Sequence, residues 1–119
     1  MGIKIAVASR DGKVVNEHFG RAERFFVFEL DGADSTYLGE REVDKACNGG
    51  EHEEQSFSAI AEVLSDCKGI VIAKIGYGAS GYMESRGFEL FEAGMPIEDA
   101  LSKLNKYYTE RGEFNGSDV

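Results

Sequence analysis

The chain predicts an α/β domain with one mixed five-stranded sheet flanked by helices. Three observations carry this. The first half alternates apolar and polar residues with a period of two. The second half brings apolar residues round every three to four. One continuous apolar run, Gly69 to Ile75, has the pattern of a strand covered on both faces.

Each element follows in order. Ile3, Ile5 and Val7 share one face of an opening strand over Ile3–Ala8. Asp11-Gly12 is a hairpin signal, so Val14–Val15 is expected to return as a second short strand. The aromatic and branched run Arg24–Leu30 is a third strand, closed by Asp31-Gly32. Tyr37–Val43 interleaves charges and reads as an edge. Phe57, Ile60, Ala61 and Leu64 then form one helical stripe. Gly69–Ala73 is placed in the sheet beside Ile3–Ala8 and parallel to it. A short helix over 79–85 and a short strand over Phe88–Phe91 follow. Pro96 opens a last helix carrying Ile97, Ala100, Leu101 and Leu104. The expected domain is 1–108, and the polar tail 109–119 is expected to fray.

The 119 residues suit a single domain with a real core. Thirteen Lys and Arg against 22 Asp and Glu give a net charge of −9. That excess of acid argues against nucleic acid and against an anionic membrane surface. The opening residues lack the order of a signal peptide, and no apolar run has membrane-spanning length, so a cytoplasmic setting is expected. Two cysteines, Cys47 and Cys67, cannot make a disulfide framework. Fifteen glycines, nearly twice the usual share of about 7%, point to tight turns and close backbone approaches.

Four stretches could carry chemistry. Gly76-Tyr77-Gly78-Ala79-Ser80-Gly81 is a literal dinucleotide fingerprint between a buried strand and a helix. The next strand starts too soon for a full crossover helix, so a plain strand-to-helix turn is the simpler reading. An anion site on its free amides is the intermediate one. His18, Arg21 and Arg24 form a basic stretch in an acidic chain, with Phe19 and Phe25 as core residues beside it. A lone loop histidine is most often solvated or bonded to backbone. Lys45-Ala46-Cys47-Asn48-Gly49-Gly50-Glu51-His52 puts a thiol in a glycine-rich loop, where backbone and sulfur are both accessible. Cys67 reads instead as a small buried hydrophobe. There is no paired-cysteine zinc motif and no nucleophile elbow. Cys47, His18 and His52 supply two or three ligands, which suits an open site for a preformed cluster better than a cage for a bare ion.

Together these residues resemble the dinitrogenase iron–molybdenum cofactor biosynthesis family, of the NifX and NifB C-terminal type. The carrying motifs are Ile3–Ala8, His18-Phe19-Gly20-Arg21-Ala22 with Phe25, Cys47-Asn48-Gly49-Gly50, Asp66-Cys67, Ile75-Gly76, Gly87-Phe88-Glu89 and Ile97-Glu98-Asp99-Ala100-Leu101. The resemblance covers about Ile3 to Tyr107. It implies a ribonuclease-H-like fold and a carrier that transiently holds an iron–sulfur or iron–molybdenum–sulfur cluster. The implied partners are cluster-assembly or acceptor proteins. A monomer or weak homodimer is expected, and no enzyme activity. Cys47, His18 and His52 are the expected ligands, with Arg21, Arg24, Lys45, Gly49 and Gly50 lining the site. A nucleotide- or phosphate-binding module at 76–81 and a cluster-free interaction domain are the alternatives.

Overall fold

The computed structural model describes residues 2–43 and 53–114. Five strands form one sheet: β1 (Ile3–Ala8), β2 (Arg24–Leu30), β3 (Ser35–Glu42), β4 (Gly69–Ile72) and β5 (Glu89–Glu92). Among the described residues three α-helices accompany them: α1 (Glu53–Val63), α2 (Tyr77–Ser85) and α3 (Ile97–Glu110). The strand order is β3-β2-β1-β4-β5, antiparallel from β1 through β3 and parallel from β1 through β5. The predicted mixed sheet is present, with the buried run beside and parallel to the opening strand. No helix among the described residues is long and apolar enough to cross a membrane.

Alternation along the central strands divides the core in two. Ala6 and Ala8 of β1, with Ile70 and Ile72 of β4, face Phe57, Ile60, Ala61 and Leu64 of α1 and Ala79 and Met83 of α2. Ile5, Val7 and Val71 face the other way, against Ile97, Ala100, Leu101, Leu104 and Tyr108 of α3. Burial on both faces explains why β1 and β4 read as nearly unbroken apolar runs.

One expectation changes. Val14–Val15 forms no strand of the sheet. The Ser9 hydroxyl accepts the Gly12 N–H (2.9 Å), and the Asp11 carboxylate accepts the N–H groups of Lys13 (2.9 Å) and Val14 (3.2 Å). These side chains take the donors that a hairpin ladder would have used. The segment instead reaches the start of α3, where Val15 N–H donates to Met95 O at 2.9 Å. β5 supplies the fifth strand in its place. Of the stretch 109–119, residues 115–119 lie outside the described residues, and α3 runs to Glu110. After α3 a turn with Gly112 at φ 76° brings Phe114 onto the second core, while Glu113 pairs with Lys68 at 3.7 Å and Arg111 with Glu89 at 3.0 Å.

Candidate functional site

The carboxyl ends of β1 and β4 open at one end of the sheet. β1 stops at Ala8, and after the 9–13 turn the chain comes back to run alongside the end of β4. Phe19 N–H donates to Lys74 O at 2.9 Å, Ala73 N–H donates to Glu17 O at 3.0 Å, and His18 is in a parallel bridge with Lys74. Phe19 anchors this return. It is buried, with ring centroids 6.2 Å from Phe25 and 6.0 Å from Phe57. His18 is therefore an exposed side chain on a fixed backbone. One 3-10 turn, Phe19–Arg21, follows and presents Arg21 to solvent.

The expected partners of His18 in the second loop, Lys45, Cys47, Gly49, Gly50 and His52, lie outside the described residues. The chain on either side of that stretch is described. Val43, just past β3, donates its N–H to Glu23 O at 2.9 Å. On the far side, Phe57 of α1 touches Phe19. Both flanks meet the segment that carries His18.

The charges at this end are mixed. Arg24 is half-buried and pairs with Glu40 at 3.6 Å. Arg10 and Arg24 share a small pocket of about 140 Å³ with Glu17 and Glu23. Lys74 is a further exposed cation at this end that the sequence reading did not single out. Its only sequence signal was its place near the end of the apolar run. Among the described residues, no three His, Cys, Asp or Glu side chains are grouped to hold a metal ion.

Cys67 belongs to the opposite end. It is buried just before β4. The four residues of β4, roughly 13 Å at ~3.3 Å per residue, lie between it and the Lys74 end. Burial, reinforced by the neighbouring Asp66 carboxylate, pushes its thiol up to about 11. A protonated, buried thiol fits the packing role read from the sequence.

The Gly76–Gly81 stretch forms the turn into α2. Gly76 sits at φ −79°, and a Cβ at Gly76, Gly78 or Gly81 would meet nothing within 4 Å. Neither a strained turn nor close helix–sheet packing requires these glycines, unlike those of a dinucleotide fingerprint. A cleft of about 580 Å³ adjoins the turn, lined in part by Lys74, Glu84 and Glu92. The Ile75 N–H is already taken by Glu92 Oε2 at 2.8 Å. Two carboxylates against one lysine make this a poor phosphate cradle.

A family model described as dinitrogenase iron–molybdenum cofactor matches residues 1–107. Among curated relatives, FeMo cofactor biosynthesis protein NifB of Klebsiella pneumoniae is 36% identical over 82% of this chain and 22% of its own length. NifB of Azotobacter vinelandii is 30% identical over 92% of this chain and 23% of its own. NifB of Herbaspirillum seropedicae is 34% identical over 75% and 17%. The chain thus spans about a fifth of the length of the curated relatives it matches. Among solved structures, the crystal structure of PH0822 superposes with a TM-score of 0.66 at 24% identity, covering 87% of this chain and 88% of that one. A proposed dinitrogenase (mj0327) of Methanocaldococcus jannaschii gives 0.57 at 15%, covering 90% and 91%. At these identities the two structures support the fold alone.

Proposed function

The chain belongs to the dinitrogenase iron–molybdenum cofactor family, and from that premise we propose that it is a cytoplasmic carrier for an iron–sulfur or iron–molybdenum–sulfur cluster, not an enzyme. The observation that carries the reading is the seat of His18. Its backbone is bonded to the chain just past β4 through Phe19 and Lys74, and both flanks of the stretch that holds Cys47 meet the same segment. A thiolate from Cys47 and a neutral imidazole from His18 are suitable donors to iron in a sulfide cluster, and His52 is the third candidate. Gly49 and Gly50 let the backbone approach a large cargo. Arg21, Arg24 and Lys45 offset its negative charge, with Arg24 sharing its own between the cargo and Glu40.

The strand order β3-β2-β1-β4-β5, with a meander followed by two parallel crossovers, supports the ribonuclease-H-like description of the fold. The partners in this reading are proteins that build or accept the cluster, and the carrier is a monomer or a weak homodimer.

The test is anaerobic reconstitution with an iron–molybdenum–sulfur cluster, comparing wild type with Cys47→Ala, His18→Ala and Cys67→Ala. The first two should each lose most bound metal with native circular dichroism. Cys67→Ala should lose stability and keep its cargo. Full occupancy in both site variants would remove Cys47 and His18 from the site.

A further inference from the structure

We propose that the groove between α2 and the free edge of β5 receives an extended, basic segment of a partner protein, which adds to the sheet as a sixth strand. This rests on the groove alone and stands whether or not a cluster binds beside His18.

The topology makes the groove. The connection after β4 leads to α2 on one face of the sheet, and the connection after β5 leads to α3 on the other. Crevices between the carboxyl ends of such strands are where open α/β sheets take ligands. The cleft of about 580 Å³ lies there. One wall is α2, where Tyr77, Ser80 and Glu84 recur at i, i+3 and i+7. The other wall is β5, through Leu90 and Glu92.

The edge is open to pairing. Among the described residues β5 is the last strand of the sheet. Glu89 and Ala93 donate inward, to Lys68 O and Ile72 O, both at 2.9 Å. By alternation the N–H and C=O groups of Leu90 and Glu92 point away from β4, along the rim of the groove. An unpaired edge beside a helix is the geometry that takes an added strand.

Charge selects the occupant. Glu84 and Glu92 stand against Lys74 in the lining, and the whole chain carries −9. Tyr77 is 99% exposed at the mouth, so its ring is free to stack on a guanidinium. Leu90 offers apolar surface to the aliphatic stem of an arginine or lysine. An acidic peptide would meet two carboxylates with one lysine to compensate.

The probe is the blocked tetrapeptide acetyl-Arg-Val-Arg-Val-amide, titrated into the full chain and followed by amide shifts and amide hydrogen exchange. The expected result is saturable binding with slowed exchange at Leu90 and Glu92. Replacing both arginines of the peptide with neutral citrulline should weaken binding about fivefold, the upper end for an exposed ion pair. The double variant Glu84→Gln/Glu92→Gln should do the same, and the side-chain amide oxygen it introduces on β5 can still accept the Ile75 N–H. The control Glu98→Gln/Asp99→Asn, on the first turn of α3, should bind as wild type does. No binding, unchanged exchange at Leu90 and Glu92, an equally tight citrulline peptide, or an equal loss in the control would each overturn the proposal.

Discussion

The Phe19 N–H donates to the Lys74 carbonyl oxygen at 2.9 Å, across a gap of 55 positions in sequence. This bond fastens the His18 segment where β1 has already ended, so residues 17–19 take the place of a longer β1 beside the end of β4. It ties the segment of the exposed His18 to the chain that continues from the fully buried β4, and the following consequences can be measured.

Phe19 should matter for stability and His18 for binding alone. Phe19→Ala empties a site enclosed by Phe25 and Phe57, and large-to-small changes of this kind cost about 3–5 kcal/mol. His18 is exposed, and its replacement by Ala should stay within about 0.5 kcal/mol. Urea denaturation of both variants checks this. Equal midpoints for Phe19→Ala and wild type would contradict the anchoring role.

Gly69 should not tolerate a side chain. A Cβ there would sit 3.0 Å from Ile5 Cδ1, 3.1 Å from Phe91 Cε2 and 3.1 Å from the Tyr108 hydroxyl. All three belong to the core between the sheet and α3. Gly69→Ala should therefore destabilise by about 1–3 kcal/mol, as overpacking does, read as a lowered denaturation midpoint.

Asp66 should contribute to the acid limb of stability. Hydrogen bonds from Arg41, at 2.6 and 3.0 Å, hold its carboxyl well below the usual carboxylate range, with Lys4 adding to them at 3.2 Å. A depressed carboxyl stabilises the fold above its unfolded pKa of about 3.9, and that stability is lost as pH falls toward the folded value. Asp66→Asn should flatten stability against pH below about pH 4 relative to wild type. The partial exposure of the pair keeps the effect small. An unchanged acid limb in Asp66→Asn would contradict the assignment.

Cys67 should resist alkylation in the native state. With its thiol pushed up to about 11 and its side chain buried, it holds little thiolate at pH 8. Labelling by iodoacetamide, mapped by peptide mass, should reach Cys67 only at the rate of unfolding. Fast native labelling would show that this end of the sheet opens.

What the sequence made legible is what local pattern controls. Arg24–Leu30 is a strand at the predicted boundaries because Phe25 and Val27 enter one core and Leu30 the other, and Gly69–Ile72 is central because both its faces are covered. Asp11-Gly12 misled because a turn signal does not say where the returning chain goes. Here Ser9 and Asp11 absorb the turn's donors, and Val15 pairs with Met95 instead. Phe114 was invisible for a related reason: one aromatic in a polar tail docks only because the Gly112 turn folds it back toward Gly32. At the site, the exposure of His18 and the packing roles of Phe19 and Phe25 were readable. Lys74 was not, because its place beside His18 comes from a pairing between distant segments.

The most direct test of the carrier account is elemental: iron, molybdenum and acid-labile sulfide measured on the full chain after anaerobic incubation with an iron–molybdenum–sulfur cluster and removal of unbound material. The account predicts metal and sulfide that stay with the protein in fixed ratio and leave together when the chain is unfolded. Protein that emerges free of both, from the same incubation, would contradict it.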